Sequence, residues 1–465
     1  MRNLNRIGMV VMWHVIIAGA IFTVMALAYL GAGYAEKAGL EYLHVRGIGS
    51  IVNMLVLMLV FVMVIATLLT LAERKWSALM QDRIGPNRAR IDLPIPIIGP
   101  LLAKLSLAGA PHVLTDVFKM LTKEAFQPAG ASKFLFNLAP MLAFAPPFAL
   151  FAIIPAGPTV VVAGEKIMMS VANPDFGLLY LFAVASLAVY GTSLAGWASN
   201  NKFALLGGVR AASQMISYEV ALGLSLVGMM IAFGTVQLGG PTGMSEMQSH
   251  YLWRFTEIGA AIDVGIPAWG ILLQPAGFIL FFAAAFAETK RAPFDVPEGE
   301  SEIIGYFVEY SGMQFGLFMI SEFVEVVVLA AVLVAIFFGA WYLPFGNEAI
   351  MNMAIFKDNG WLLGALFATV FWSKVIALCF LQLMIRWTFP RFRYDQIQTL
   401  GWKILLPIGL VNLFVSGALI LWDPSLRMLA IVGVIEIAIV TGLTLIPRPK
   451  EREDAQAGLA HAGGH

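Results

Sequence analysis

Apolar residues fill this chain in blocks of about twenty, and charge collects in the stretches between them. Blocks long enough to cross a hydrocarbon layer of roughly 30 Å lie near residues 9–31, 51–72, 134–155, 177–199, 214–237, 266–287, 310–343, 361–385, 404–422 and 428–446. The pattern predicts an all-α, polytopic membrane protein with about ten transmembrane helices. One intervening stretch differs from the rest. In Pro111–Glu124, Val113, Val117, Met120 and Leu121 share one helical face, while Asp116, Lys119 and Lys123 fall on the other side. That predicts an amphipathic helix lying along the membrane or docked on a partner.

Composition agrees with the pattern, with 59% hydrophobic residues, 12% charged and a mean hydropathy of +0.82. Net charge is zero, and no basic block is interleaved with aromatics, so nothing points to nucleic acid. With the N-terminus inside, Lys and Arg number 22 on the inner side against six outside, which predicts both termini in the cytoplasm. The run after Arg2 and Arg6 is long for a signal peptide and lacks a clear cleavage site, so it is read as a helix. Tryptophans near the predicted ends, such as Trp76, Trp197, Trp341 and Trp402, read as interfacial anchors.

The lone Cys379 excludes an internal disulfide and a thiolate cage for an iron–sulfur cluster. Gly31-Ala-Gly33 lacks the third glycine of a dinucleotide fingerprint, so a nucleotide or flavin belongs to another chain. His461 and His465 have helical metal-ligand spacing but sit in a polar Gly/Ala-rich tail expected to be disordered, and no metal site is expected.

Candidate chemistry centres on Phe286–Glu325, where Glu288, Asp295, Glu298, Glu300, Glu302, Glu309, Glu322 and Glu325 place eight carboxylates in forty residues. Pro293 and Pro297 keep the first part a loop. Glu309 follows Glu302 by about two helical turns, and Glu322 and Glu325 are expected deeper on the same helix. Acids held in an apolar setting take up protons or need cations, and neighbours raise one another's proton affinity. Such a row can store and pass protons. Glu219 and Lys374 lie inside predicted crossings, where an ammonium needs a carboxylate or a wet cavity, so Glu219 or Glu322 is the expected partner of Lys374. Glu436 in the last helix is expected either to act in the same way or to contact another subunit. Arg386, Arg391, Arg393 and Asp395 face the acidic loop from the same side, which predicts ion pairing between the two.

Six motifs then fall in order: Glu73-Arg-Lys; Arg83-Ile-Gly-Pro-Asn; Asp116-Val-Phe-Lys-Met-Leu-Thr-Lys-Glu; Gly208-Val-Arg-Ala-Ala-Ser-Gln-Met-Ile-Ser-Tyr-Glu219; the acidic stretch through Glu309-Tyr-Ser-Gly-Met; and Pro390-Arg-Phe-Arg-Tyr-Asp-Gln. From about residue 51 to 422 the chain resembles the NuoH-type family of membrane subunits of proton-pumping NADH:quinone oxidoreductase, respiratory complex I, a translocase of the bacterial inner membrane. The resemblance implies a component without a redox centre, not catalytic alone. It would roof a chamber for a quinone substrate, ubiquinone or menaquinone, at the junction with the peripheral arm. It would also pass the effect of reduction through small membrane subunits to antiporter-like subunits.

By the matched motifs, the chamber would include Arg74, Asp116, Arg210, Asp295 and Glu298. The proton path would use Glu219, Glu298, Glu300, Glu302, Glu309 and Glu322, with Lys374 added from its position. The amphipathic helix and the runs at 51–72 and 310–343 would frame an entrance from the lipid. Residues 1–50 and 423–447 would each add a crossing to an eight-crossing core spanning 51–422, with 448–465 as the tail. A component of a membrane-bound hydrogenase or formate hydrogenlyase, or a free-standing ion carrier, are the rival readings.

Overall fold

The computed structural model describes residues 62–89, 109, 111–162, 165–167, 169–255, 264–299, 302–353, 355–356 and 360–445. The expected helix at 9–31, the start of the run at 51–72, Glu300 and the tail lie outside the described residues. What remains is a multi-pass helical bundle. Among the described residues, seven helices are long and apolar enough to cross a membrane: α3 (Lys133–Phe151), α4 (Gly177–Ala198), α5 (Lys202–Phe233), α7 (Gly312–Phe337), α8 (Gly360–Thr388), α9 (Tyr394–Trp422) and α10 (Arg427–Leu445). To these are added α1 (Met63–Met80), the surface helix α2 (Pro111–Thr122) and the shorter α6 (Pro275–Glu288). Two short antiparallel strand pairs, β1 (Val160–Val162) with β2 (Glu165–Ile167) and β3 (Tyr251–Phe255) with β4 (Val264–Pro267), and short helical turns at Met244–Met247, Gly270–Leu273 and Asn347–Asn352 are also described.

Two helices organise the packing. α7 is surrounded along its whole apolar length, by α3 on one side, α8 and α1 on another, with α2 and α6 also against it. α5 carries α4, α6 and α9, and the contact of α3 with α4 joins the two groups. Local chemistry sets the ends of α5. The Asn201 side chain accepts from the Phe203 amide at 2.9 Å, and Gly234 closes the helix in the left-handed conformation at φ 63°.

Two proline effects modify the expected crossings. The run at 266–287 is not one helix. It breaks at Gln274 (φ −144°, ψ 72°), and α6 starts at Pro275, which has no amide to donate and suits a first turn. Its 14 residues rise about 21 Å, short of the hydrocarbon layer. The remaining depth is filled by β4, a single turn at Gly270–Leu273 and α10, which packs across both that turn and α6. In α9, a π-helical turn at Leu400–Leu405 precedes Pro407, where the ring would otherwise meet the carbonyl four residues back.

Candidate functional site

The acidic loop leaves α6 at Thr289 and turns at Lys290, which adopts φ 54°. Pro293 and Pro297 prevent it from winding up, and three contacts fix its path. The Gln214 amide, fully buried on α5, donates both hydrogens, to Ala287 O at 2.8 Å and Phe294 O at 2.9 Å. The Phe392 amide donates to Pro293 O at 3.0 Å. The loop then runs so close to α5 that a side chain at Gly207 would stand 2.9 Å from the Tyr306 amide nitrogen. α7 begins only at Gly312, at φ 60°, where an added Cβ would lie 2.8 Å from Lys123 O. Glu302 and Glu309 therefore precede α7 in turns. The expected continuous helix from Glu302 to Glu325 is corrected, because Gly312 marks a change of direction.

Inside this fold six carboxyls, Glu73, Glu288, Asp295, Glu298, Glu322 and Glu325, meet four cations, Lys290, Arg291, Arg386 and Arg391. Glu73 of α1 binds Arg291 at 3.4 Å and also Arg386, while the Arg291 guanidinium lies 3.9 Å over the Phe323 ring. Asp295 accepts from Arg391 at 2.8 Å, and Lys290 approaches Glu325 at 3.8 Å with both side chains sealed. The Tyr306 hydroxyl donates to Glu322 at 3.1 Å, and Glu298 lies beside Glu322, close enough for each carboxyl to feel the other's charge. Glu288 lies within electrostatic range of Glu325, Lys290 and Glu219, which carries the acidic sequence from the loop into α5.

Acids outnumber cations here, and the loop members respond accordingly. Burial, then the charge of the neighbouring Glu322, push Glu298 well above the ordinary carboxyl range. Burial raises Asp295 to about 6 although Arg391 and Arg386 oppose it. Burial alone would depress Lys290, but Glu325, Glu322, Glu298 and Glu288 together hold its ammonium above its ordinary value. Among the described residues, Glu288 Oε2, Asp295 Oδ1 and Glu298 Oε1 are sealed with no hydrogen-bond donor. The arrangement can hold exchangeable protons between neighbouring carboxyls. No group of His, Cys, Asp or Glu among the described residues is disposed to hold a metal ion.

Other expected site residues lie around this cluster. Arg210 pairs with Glu302 at 2.9 Å, and the Glu302 side chain is 60% exposed. Glu309 accepts from Asn201 Nδ2 at 2.7 Å, which ties the loop to the start of α5. Arg391 meets the acidic loop as expected. Arg393 does not, because Asp395 two residues on offers it an exposed bidentate contact at 2.9 and 3.1 Å. Lys374 pairs with neither Glu219 nor Glu322. Its ammonium donates to the carbonyls of Phe338, Ala340 and Tyr342 at 2.7, 3.0 and 2.6 Å and lies over the Trp269 ring, where it caps the end of α7. Glu436 contacts its own chain, accepting from the Ala276 amide at 3.2 Å in the first turn of α6. Sequence reasoning does not single out Glu73, Lys290, Arg291 or Tyr306 as site residues. The signal available was adjacency, Glu73 beside Arg74 and Lys290-Arg291 between Glu288 and Asp295.

α2 packs against α1 and α7, so the three elements expected to frame an entrance do meet. Arg74 binds Asp116 at 2.8 Å, and Ser311 stitches the chain after α2 to α7 by accepting from the Phe126 amide and donating to Glu124 O. The faces of α2 differ from expectation. Asp116 turns inward with Val113 and Met120, drawn by Arg74, while Leu114, Val117, Phe118 and Leu121 form an exposed apolar stripe. An open groove beside the turn after α1 is lined by Ile84, Gly85, Asn87 and Arg88.

Comparison with known proteins places these features in context. A family model described as NADH dehydrogenase matches residues 52–417. An NADH-quinone oxidoreductase H subunit of Cytophaga hutchinsonii is 40% identical over 360 residues, covering 77% of this chain and 93% of its own length. The corresponding H subunit of Geobacter metallireducens is 40% identical over 357 residues (77% and 92%), and that of Flavobacterium psychrophilum 38% over 360 residues (77% and 93%). The matched segment contains the whole carboxyl cluster and stops before α10.

Proposed function

The chain belongs to the NuoH-type family of NADH-quinone oxidoreductase membrane subunits, and from that premise we propose that it forms a lipid-fed quinone passage beside a peripheral redox arm and answers quinone reduction by moving protons within its buried carboxyl cluster. The observation that carries this reading is the sealed neighbourhood of Glu298 and Glu322, in which Tyr306 donates to Glu322 and burial together with Glu322 pushes Glu298 well above the ordinary carboxyl range. The quinone enters between α1, α2 and α7, past Arg74 and Asp116, with Arg210 and the acidic loop further in. Ubiquinone and menaquinone both suit an apolar entrance.

Electrons come from a centre in another chain of the assembly, and forming a quinol takes up two protons. The charge that develops at the head group shifts the protonation of Asp295 and Glu298, the loop acids with raised proton affinity. Glu322, Glu325, Glu288 and Glu219 then pass the displacement across α7 and α6 to α5, from which small membrane subunits relay it to antiporter-like subunits. Glu300, Glu302 and Glu309 line the loop's approach. This chain makes no bond itself. Both termini face the cytoplasm, and the assembly sits in the bacterial plasma membrane.

The test uses the assembled complex in membrane vesicles. Glu298→Gln keeps the shape and hydrogen-bonding capacity of the side chain and removes its titration. Quinone-dependent NADH oxidation and vesicle acidification should both fall by about a hundredfold, the lower end of the usual scale for a lost proton-transfer group, while subunit composition stays normal. Undiminished acidification in assembled Glu298→Gln/Glu322→Gln complexes would end this reading.

A further inference from the structure

We propose that the break in α6 houses a binding site for a single water molecule in the membrane interior, between Gln274, Asn412 and the Ser225 carbonyl. Gln274 is 1% exposed and Asn412 9%, yet Gln274 Oε1 and Asn412 Nδ2 each lack a hydrogen-bond partner. Both atoms converge on Gly277. From the point where a side chain there would begin, Ser225 O lies 3.1 Å away, Gln274 Oε1 3.2 Å and Asn412 Nδ2 3.5 Å. A side chain at this position would crowd all three atoms, so the glycine keeps them clustered against α6.

The identity of the atoms is constrained by their neighbours. Ser416 Oγ donates to Asn412 O at 2.6 Å, so it must accept from Gln274 Nε2, and that leaves Oε1 of Gln274 facing Gly277. The amide cannot swing away, because its whole head packs on α5 where a Cβ at Gly228 would stand 2.4 Å from Nε2 and 2.5 Å from Oε1, so Oε1 sits between Gly228 and Gly277. Two acceptors and one donor around one small space match water, which donates twice and accepts at least once. Buried waters make about three such bonds. A metal cation does not fit, since it would face the Asn412 amide hydrogens with only two neutral oxygens for support.

The position explains why the site exists. A helix broken at membrane depth leaves backbone and side-chain polar groups short of partners, and hydrocarbon offers none. Glu436 of α10 supplies the Ala276 amide, the Phe278 amide bonds to Gln274 O, and the water serves the Gln274 and Asn412 side chains beside the break. The site thus makes the Pro275 break tolerable, and it stands whether or not the carboxyl cluster moves protons.

The test is electron cryo-microscopy of the assembled complex at water-resolving quality, joined to hydrogen exchange. A density peak within hydrogen-bonding distance of all three atoms supports the site. An apolar gap, or Gln274 and Asn412 bonded directly to each other, overturns it. Asn412→Leu gives a difference in sign. Removing an unpaired donor from a dry interior would leave exchange of the Gly277 and Phe278 amides unchanged or slower, whereas removing a ligand of the water should speed it about tenfold. Should that variant fail to assemble, Gly277→Ala keeps all three polar atoms and fills the space. The peak should vanish and exchange rise despite alanine's better helix propensity, and a retained peak or slower exchange would overturn the proposal.

Discussion

Glu73 holds two guanidinium groups, and replacing it tests whether the cluster is one electrostatic unit. In Glu73→Gln, Arg291 keeps its place over Phe323 but loses its anion while its side chain stays only 9% exposed, and Arg386, 28% exposed, loses the same partner. Breaking a buried pair from one side costs about 3–5 kcal/mol. Glutamine can still accept a hydrogen bond and Arg386 is partly solvated, so the lower end applies, about 3 kcal/mol, or roughly a hundredfold in an opening equilibrium.

The cost should appear locally, in the loop that Arg291 anchors. The reporters are the Phe294 amide, bonded to Arg291 O at 2.8 Å, and the Phe392 amide, bonded to Pro293 O. Hydrogen exchange in the assembled complex should quicken at both by about two orders of magnitude while α4 is unaffected. Removing one stranded cation in Glu73→Gln/Arg386→Gln should recover part of the loss, because neighbours in one network are not additive. The reasoning is refuted if the two amides change less than about threefold, or if α4 loosens equally.

Three further outcomes follow from the same geometry. Asp295 titrates at about 6, so its pair with Arg391 is ionised above that pH and fades below it. Quinone-linked turnover should drop on the acid side through this range, and Asp295→Asn should flatten that limb; a limb of unchanged midpoint in the variant contradicts the assignment. Glu302→Gln removes an exposed pair with Arg210, worth at most about 1 kcal/mol, and should alter turnover less than about fivefold, to be compared with Glu298→Gln in the same vesicles. Lys374→Met strips three carbonyls at the end of α7 of their donor and should lower the thermal stability of the chain without moving the pH profile. A shifted profile with normal stability would return Lys374 to the proton path.

The apolar blocks were legible because membrane burial leaves a signal twenty residues long, and most predicted ends match helix ends. Hydropathy does not register a proline's missing amide, which is why the run at 266–287 reads as one helix although Pro275 starts a shorter one. The pairing of Arg391 with the acidic loop followed from their shared side of the membrane. Arg393 could not be told apart in that way, since its choice of Asp395 is a matter of local reach.

α2 carries two overlapping apolar stripes, and only the position of Arg74 decides that Asp116 turns inward. Glu309 reads as helical because spacing alone cannot reveal that Gly312 sits at positive φ. The role of Glu73 depends on α1 and α8 lying side by side, a tertiary fact that no single stretch contains.

Protons held by these enclosed acids are expected to respond when the quinone is reduced. Infrared difference spectroscopy of the intact complex, oxidised against reduced quinone, reads protonated carboxyl groups directly. A carboxyl band should change on reduction and disappear in Glu298→Gln. A difference spectrum whose carboxyl region is the same in wild type and Glu298→Gln, with proton pumping intact in both, would contradict it.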